Sequence, residues 1–250
     1  MRGASIHSWT TWHSRVGRLM TLTAPWCAMI GFAAAEASGC LSPSMVIADR
    51  AGAVLYMAEA TANQVAVVDA ASGTISRSFV AGHTPLAPVV TPDGATLFVC
   101  NRFNNEVAVI SCASGAAVAR IAVPREPIAA VLTPDGGLLV VAHHLPAYAP
   151  DDPWLAARVT LIDTRTTSAV AHVLLPQGSM GARGVCVSPD GRYAYVTHTL
   201  GHFQVPTTQL ERGWMNTSAL KEFNAGDTHG KTSGLTGKEL DDLAAYVLSL

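Results

Sequence analysis

Four polar residues, Glu59, Asn101, His143 and His198, close four apolar runs, and each is followed by a residue of the same neighbourhood: Ala60, Arg102, His144 and Thr199. Imidazole suits copper, zinc and iron. His143 and His198, joined by His202 or His83, are therefore a candidate metal or haem set. The same column, widened by Arg102, His144, Arg125 and Arg183, is a candidate partner-binding face. The segments around 82–85, 124–127 and 178–183 reach the same end of the apolar runs, and the two longest insertions, 145–157 and 200–217, leave from it. Loops held by a rigid scaffold are where binding residues concentrate. Polar strand-end residues bonding loop backbone would leave the same pattern.

Other chemistry is sparse. No Gly-x-Ser-x-Gly, phosphate loop or His-Glu-x-x-His occurs, so no catalytic residue is assigned and the chain reads as non-enzymatic. Asp69 and Asp163 end apolar runs and are read as acceptors for turn amides. The five cysteines do not form a disulfide framework. Cys27 lies in the leader, Cys100, Cys112 and Cys186 fall in strand patterns where a small buried thiol is the simple reading, and Cys100 is placed opposite Val107 or Ala108. Covalent c-type haem needs Cys-x-x-Cys-His, and the chain has none.

The elements that must position these residues are hairpins. Thr91-Pro92-Asp93-Gly94 returns as Thr133-Pro134-Asp135-Gly136 and Ser188-Pro189-Asp190-Gly191, each between two short apolar runs. Proline presets φ, aspartate bonds nearby backbone and glycine supplies the positive φ of a tight connection. Asp49, Asp93, Asp135 and Asp190 stand 44, 42 and 55 residues apart, the spacing of four-stranded blades. Third strands align at Gln64–Asp69, Glu106–Ser111 and Arg158–Asp163, and fourth strands at Ile75–Val80, Ala117–Val123 and Ser168–Leu175. After Thr199 the repeat weakens, and Ser218-Ala219-Leu220 reads as a third strand that does not complete.

Tyr195-Val196-Thr197 after Ser188-Pro189-Asp190-Gly191, with Ile162-Asp163-Thr164 ending a third strand, resembles the YVTN-type β-propeller repeat of bacterial exported proteins. The resemblance covers about Leu41 to Asn216. It implies an all-β fold, an incomplete β-propeller of about three and a half four-stranded blades over 41–217. Such a chain has exposed sheet edges and is expected to form an oligomer that completes the ring or to be poorly soluble.

The tail carries a second resemblance. Phe223-Asn224-Ala225-Gly226-Asp227-Thr228-His229-Gly230 and Leu235–Leu250 resemble the end of a c-type cytochrome domain of the di-haem cytochrome c peroxidase type. Thr236 and Glu239 form a capping box, and Leu240, Leu243, Ala244 and Val247 mark one face of a short C-terminal α-helix. The region 218–250 is thus read as a cytochrome c-like remnant. This resemblance implies haem c in relatives and a c-type cytochrome as partner, with an electron-transfer or peroxidase-like haem protein as the alternative function. A metal-dependent oxidoreductase on the histidine column is the other.

Composition frames the rest. Hydrophobic residues make up 49% of the 250 and charged residues 14%, with a formal charge of −2 and no basic run. That supplies a core and argues against nucleic acid as partner. Arg2, Arg15 and Arg18 precede an apolar stretch from Leu19 to Ala35, followed by Ala35-Glu36-Ala37-Ser38-Gly39-Cys40. That stretch falls short of the roughly 20 residues that span a bilayer and is read as a signal peptide over 1–37. The chain is accordingly expected to be periplasmic or otherwise extracytoplasmic, with Cys40 as a candidate lipid anchor. The function expected is an exported binding or scaffold module, with a protein or small ligand on the loop face and c-type cytochrome redox proteins as its setting.

Overall fold

The computed structural model describes residues 41–147, 154–202 and 216–224. The signal peptide, part of the first long insertion, most of the second and the C-terminal helix read from the sequence lie outside the described residues. Four antiparallel sheets follow one another along the chain. The first is β1 (Pro43–Ala48), β2 (Val54–Glu59), β3 (Gln64–Asp69) and β4 (Ile75–Val80). The second is β5 (Pro85–Val90), β6 (Thr96–Asn101), β7 (Glu106–Ser111) and β8 (Ala117–Ala122). The third is β9 (Pro127–Leu132), β10 (Leu138–His143), β11 (Arg158–Asp163) and β12 (Ser168–Leu174). The fourth has three strands, β13 (Ser179–Val187), β14 (Tyr193–Gly201) and β15 (Asn216–Asn224).

Each sheet is a meander, and its strands alternate because the pleat sends successive side chains to opposite faces. Leu97 and Val99 of β6 pack toward the first sheet, while Phe98 and Cys100 pack toward the third. Leu139 and Val141 of β10 face the second sheet; Val140 and Ala142 face the fourth. The interior is therefore three apolar layers between four stacked sheets. Consecutive sheets touch mainly through their first strands, β1 to β5, β5 to β9 and β9 to β13. This all-β arrangement of blade-like sheets fits a propeller-like fold. Among the described residues no extensive contact joins the fourth sheet to the first, so no closed ring is formed.

The turns explain the repeat. Thr91 Oγ1 donates to Asp93 Oδ1 at 2.5 Å, the Ala95 amide donates to the same oxygen at 3.0 Å, and the Thr96 amide donates to Thr91 Oγ1 at 3.0 Å. Thr133 with Asp135 and Ser188 with Asp190 repeat the arrangement, with Gly94, Gly136 and Gly191 at φ 71, 72 and 73°. In the first sheet Asp49 accepts the Ala53 and Val54 amides. Asp49 therefore stands in the place of Thr91, not Asp93. This corrects the first repeat from 44 to 42 residues, the spacing also seen for the positive-φ residues Ser42, Thr84 and Glu126.

Two further readings are corrected. The strand over Ser218–Leu220 does complete: β15 runs to Asn224 and pairs with β14 from Tyr193 to Gly201, because alternating Ala219, Lys221 and Phe223 give it an inward face closed by buried Phe223. Cys186 is exposed, whereas Cys100 and Cys112 are buried; all three are free thiols. Cys100 pairs with Val107, and Asp69 and Asp163 accept turn amides from Ser72 and from Arg165 and Thr166, as the sequence reading has it.

Candidate functional site

The polar column stands where β2, β6 and β10 end, and His198 takes the equivalent place in β14. All four side chains are buried: Glu59, Asn101 and His143 are 0% exposed and His198 4%. For Asn101, His143 and His198 the reason is the stacking, which carries the sheet interfaces up to these strand ends. Three of them find a partner on the neighbouring strand, while the ring nitrogens of His198 are buried without one among the described residues. Glu59 Oε2 accepts from Gln64 Nε2 at 2.5 Å, and Asn101 Nδ2 donates to Glu106 Oε1 at 2.9 Å. His143 Nε2 lies 2.8 Å from Thr160 Oγ1, which in turn lies 3.0 Å from His172 Nδ1. These four residues form an internal polar row, and this corrects their assignment to a partner-facing surface.

Burial, with His172 nearby, pushes the His143 imidazole down to about 3. Burial also lowers His198. Both rings are neutral at pH 7 and chemically able to ligate a metal. The fold does not gather them for it. Among the described residues no three His, Cys, Asp or Glu side chains converge on a metal-sized site. His83 stacks at the surface against Phe103, and His202 Nε2 lies 3.2 Å from Thr217 Oγ1.

What the loop end does assemble is a cationic and aromatic surface. Arg102 Nε and Nη2 donate to Glu126 Oε2 at 3.0 and 2.7 Å. The Arg102 guanidinium lies 5.0 Å from the Phe103 ring centroid, and the His83 ring lies 5.3 Å from it on a tilt of 52°. Phe103 is 51% exposed. Arg125 and Arg183 are exposed as well. His144 sits among these groups: burial lowers its pKa, Arg102 and Arg183 lower it further, and Glu126 opposes them. Of the described acids at this end, Glu59 is buried, Glu106 pairs with Arg120, and Glu126 pairs with Arg102. The six described aspartates all lie at the opposite end, in turns.

Backbone geometry fixes this surface. Arg102–Asn104 form a single 3-10 turn ended by Asn105 at φ 55°. The Asn105 side chain accepts the Glu126 amide at 2.9 Å, as Asn63 accepts that of Thr84 at 3.0 Å. Each Asn thereby ties the tip of one sheet to the entrance of the next. Phe103, Glu126, Asn63 and Asn105 were not singled out by the sequence reading. The 42-residue spacing of the two asparagines was the available signal.

No family model matches the chain, and no curated protein matches it. Among solved structures, the chain is similar to Kuenenia stuttgartiensis hydrazine synthase, with a TM-score of 0.52 and 22% identity over 78% of this chain and 66% of that one. At that identity the likeness shows the fold alone. In all, 948 solved chains match, and since a fold by itself does not fix function, the likeness assigns no reaction.

Proposed function

We propose that this protein is an exported, non-enzymatic binding module: an open β-propeller of four blades that presents its loop end to a protein partner of the c-type cytochrome redox class. The observation that carries the reading is the surface formed by Phe103, Arg102, His83, Arg125 and Arg183. An exposed aromatic ring braced by a guanidinium and an imidazole is the side-chain chemistry that dominates binding energy at protein interfaces. The exposed Arg125 and Arg183 around it favour a partner with an acidic surface and speed the encounter. Among the described residues the aspartates lie in the turns of the other end, and the loop-end acids Glu59, Glu106 and Glu126 are buried or paired, which leaves exposed arginines at the loop end. The choice of a cytochrome rests on the resemblance of the tail to the end of a c-type cytochrome domain.

A binding titration against an acidic-surfaced c-type cytochrome tests it. The expected result is association that weakens with salt and falls about tenfold or more in a variant carrying Phe103→Ala with Arg125→Ala. Equal binding by that variant, or no binding at low salt, overturns the reading. The visible absorption spectrum of protein expressed with c-type haem maturation is the companion measurement. A Soret band that survives purification would move the electron-transfer reading ahead of the scaffold reading.

A further inference from the structure

The three interfaces between sheets follow one rule, and it leaves a defined face open at each end of the stack. The side of each sheet that meets its predecessor is built from Leu97 and Val99 in the second sheet, Leu139 and Val141 in the third, and Ala194 and Val196 in the fourth. Their counterparts in the first sheet are Leu55 and Met57, joined on the same face by Ala66 and Val68 of β3. Among the described residues no other sheet packs there: Glu59 and Ala66 on this face are 0% exposed, but Leu55, Met57 and Val68 remain partly exposed, and Val46 and Ile75 are 56% and 53% exposed. At the other end, the side that meets a successor is built from Tyr56 and Val65, then Phe98 and Val107, then Val140 and Val159. Tyr195 and Leu220 are the counterparts in the fourth sheet, with Thr197 and Glu222 beside them, and they too are incompletely covered.

We infer that a second copy of this chain covers both faces, the first sheet of each copy stacking on the fourth sheet of the other to close a ring of eight sheets. The contact continues an interface already made three times within the chain, with Tyr195 in the position of Tyr56 and Phe98. Four sheets per copy bring two copies to eight, within the four to eight blades with which such rings close. The face of the first sheet is six residues long and four strands wide and that of the fourth nine residues long and three strands wide, and each projects about 400 Å² from the ordinary rise and strand spacing. A single contact would be small, but a closed pair buries two faces per copy and reaches the roughly 800 Å² per partner of a stable interface. The inference uses surfaces separate from the loop end and stands independently of the binding reading.

A cysteine pair tests the register. Across the internal interfaces Ile47 and Val90 belong to one cluster, Val89 and Leu132 to the next, and Val131 and Val187 to the third. The same step across the new interface sets Cys186, which is exposed, beside Ala48. In the full-length chain, Ala48→Cys under mild oxidation should give a covalent dimer that reductant reverses and Cys186→Ser prevents. Light scattering of the unmodified chain should give twice its 26.1 kDa mass. Met57→Asp and Tyr195→Asp should each yield monomer with an unchanged far-ultraviolet spectrum, and mixing the two variants should restore a weaker dimer through the one intact contact. A monodisperse monomer overturns the inference. So does a dimer that Met57→Asp breaks and Tyr195→Asp leaves intact, which would mean that two first sheets face each other. Growing open polymers would overturn ring closure.

Discussion

At the scale of single residues, burial decides what each polar group can do. His143 is folded into the interior with its Nε2 against Thr160, and its pKa is pushed down to about 3 from an ordinary 6.5. The unfolded chain therefore binds a proton at His143 that the folded chain refuses. Stability from this residue is complete above pH 6.5 and is lost as pH falls from there toward 3, by at most ~1.4 kcal/mol per pH unit. His198 and His144 act in the same direction. Urea midpoints measured between pH 7 and 5, above the main carboxylate range, should decline in the parent and decline less in His143→Asn. Parallel declines would mean that His143 is not the proton-linked group. His143 and its column partners were legible as a row from the turn register, but their orientation was not, because alternation along a strand does not say how far a neighbouring sheet extends over the strand's end.

At the scale of elements, the same residue type carries different constraints in different places. Gly82 has no positive φ, yet a Cβ there would overlap the Asn101 side chain and approach Asn104 Oδ1 at 2.9 Å. Gly52 has φ 70° with open space around its would-be Cβ. Gly82→Ala is expected to cost about 2 kcal/mol through overpacking of the connection between the first two sheets. Gly52→Ala should cost ~1 kcal/mol through the left-handed backbone alone. Chemical denaturation of the two variants checks the order; a larger loss at Gly52 would mean that the connection yields freely. The turn glycines were readable from Pro-Asp-Gly, since that chemistry is local. Gly82 was not, because the atom it makes room for is Asn101, on the second strand of the following sheet.

At the scale of the whole molecule, stability is shared among successive interfaces, as in other stacked repeats. Phe98 is 1% exposed in the layer between the second and third sheets, with Cys100, Val107 and Leu139 in the same cluster. Phe98→Ala should lose ~3–5 kcal/mol, read as a shift in urea midpoint. A loss below 1 kcal/mol would mean that the two sheets do not depend on each other. The separation of charge is a property of this scale as well. The described aspartates sit at one end because the turn motif uses them, while Arg102, Arg125 and Arg183 stand at the other, in a 3-10 turn, a short connection and β13.

The sequence by itself determined the hairpins of the first three sheets, their order and their strand bounds to within a residue or two, because turn chemistry and alternation are encoded within a few neighbours. The three Pro-Asp-Gly turns, the pairing of Cys100 with Val107 and the roles of Asp69 and Asp163 follow from such short-range rules. Only the tertiary structure decided that Glu59, Asn101, His143 and His198 turn inward, that Phe103 stands out between His83 and Arg102, and that β15 completes its strand. Each of those outcomes depends on which sheet lies above or beside the residue, a relation set by packing between segments about 40 residues or more apart.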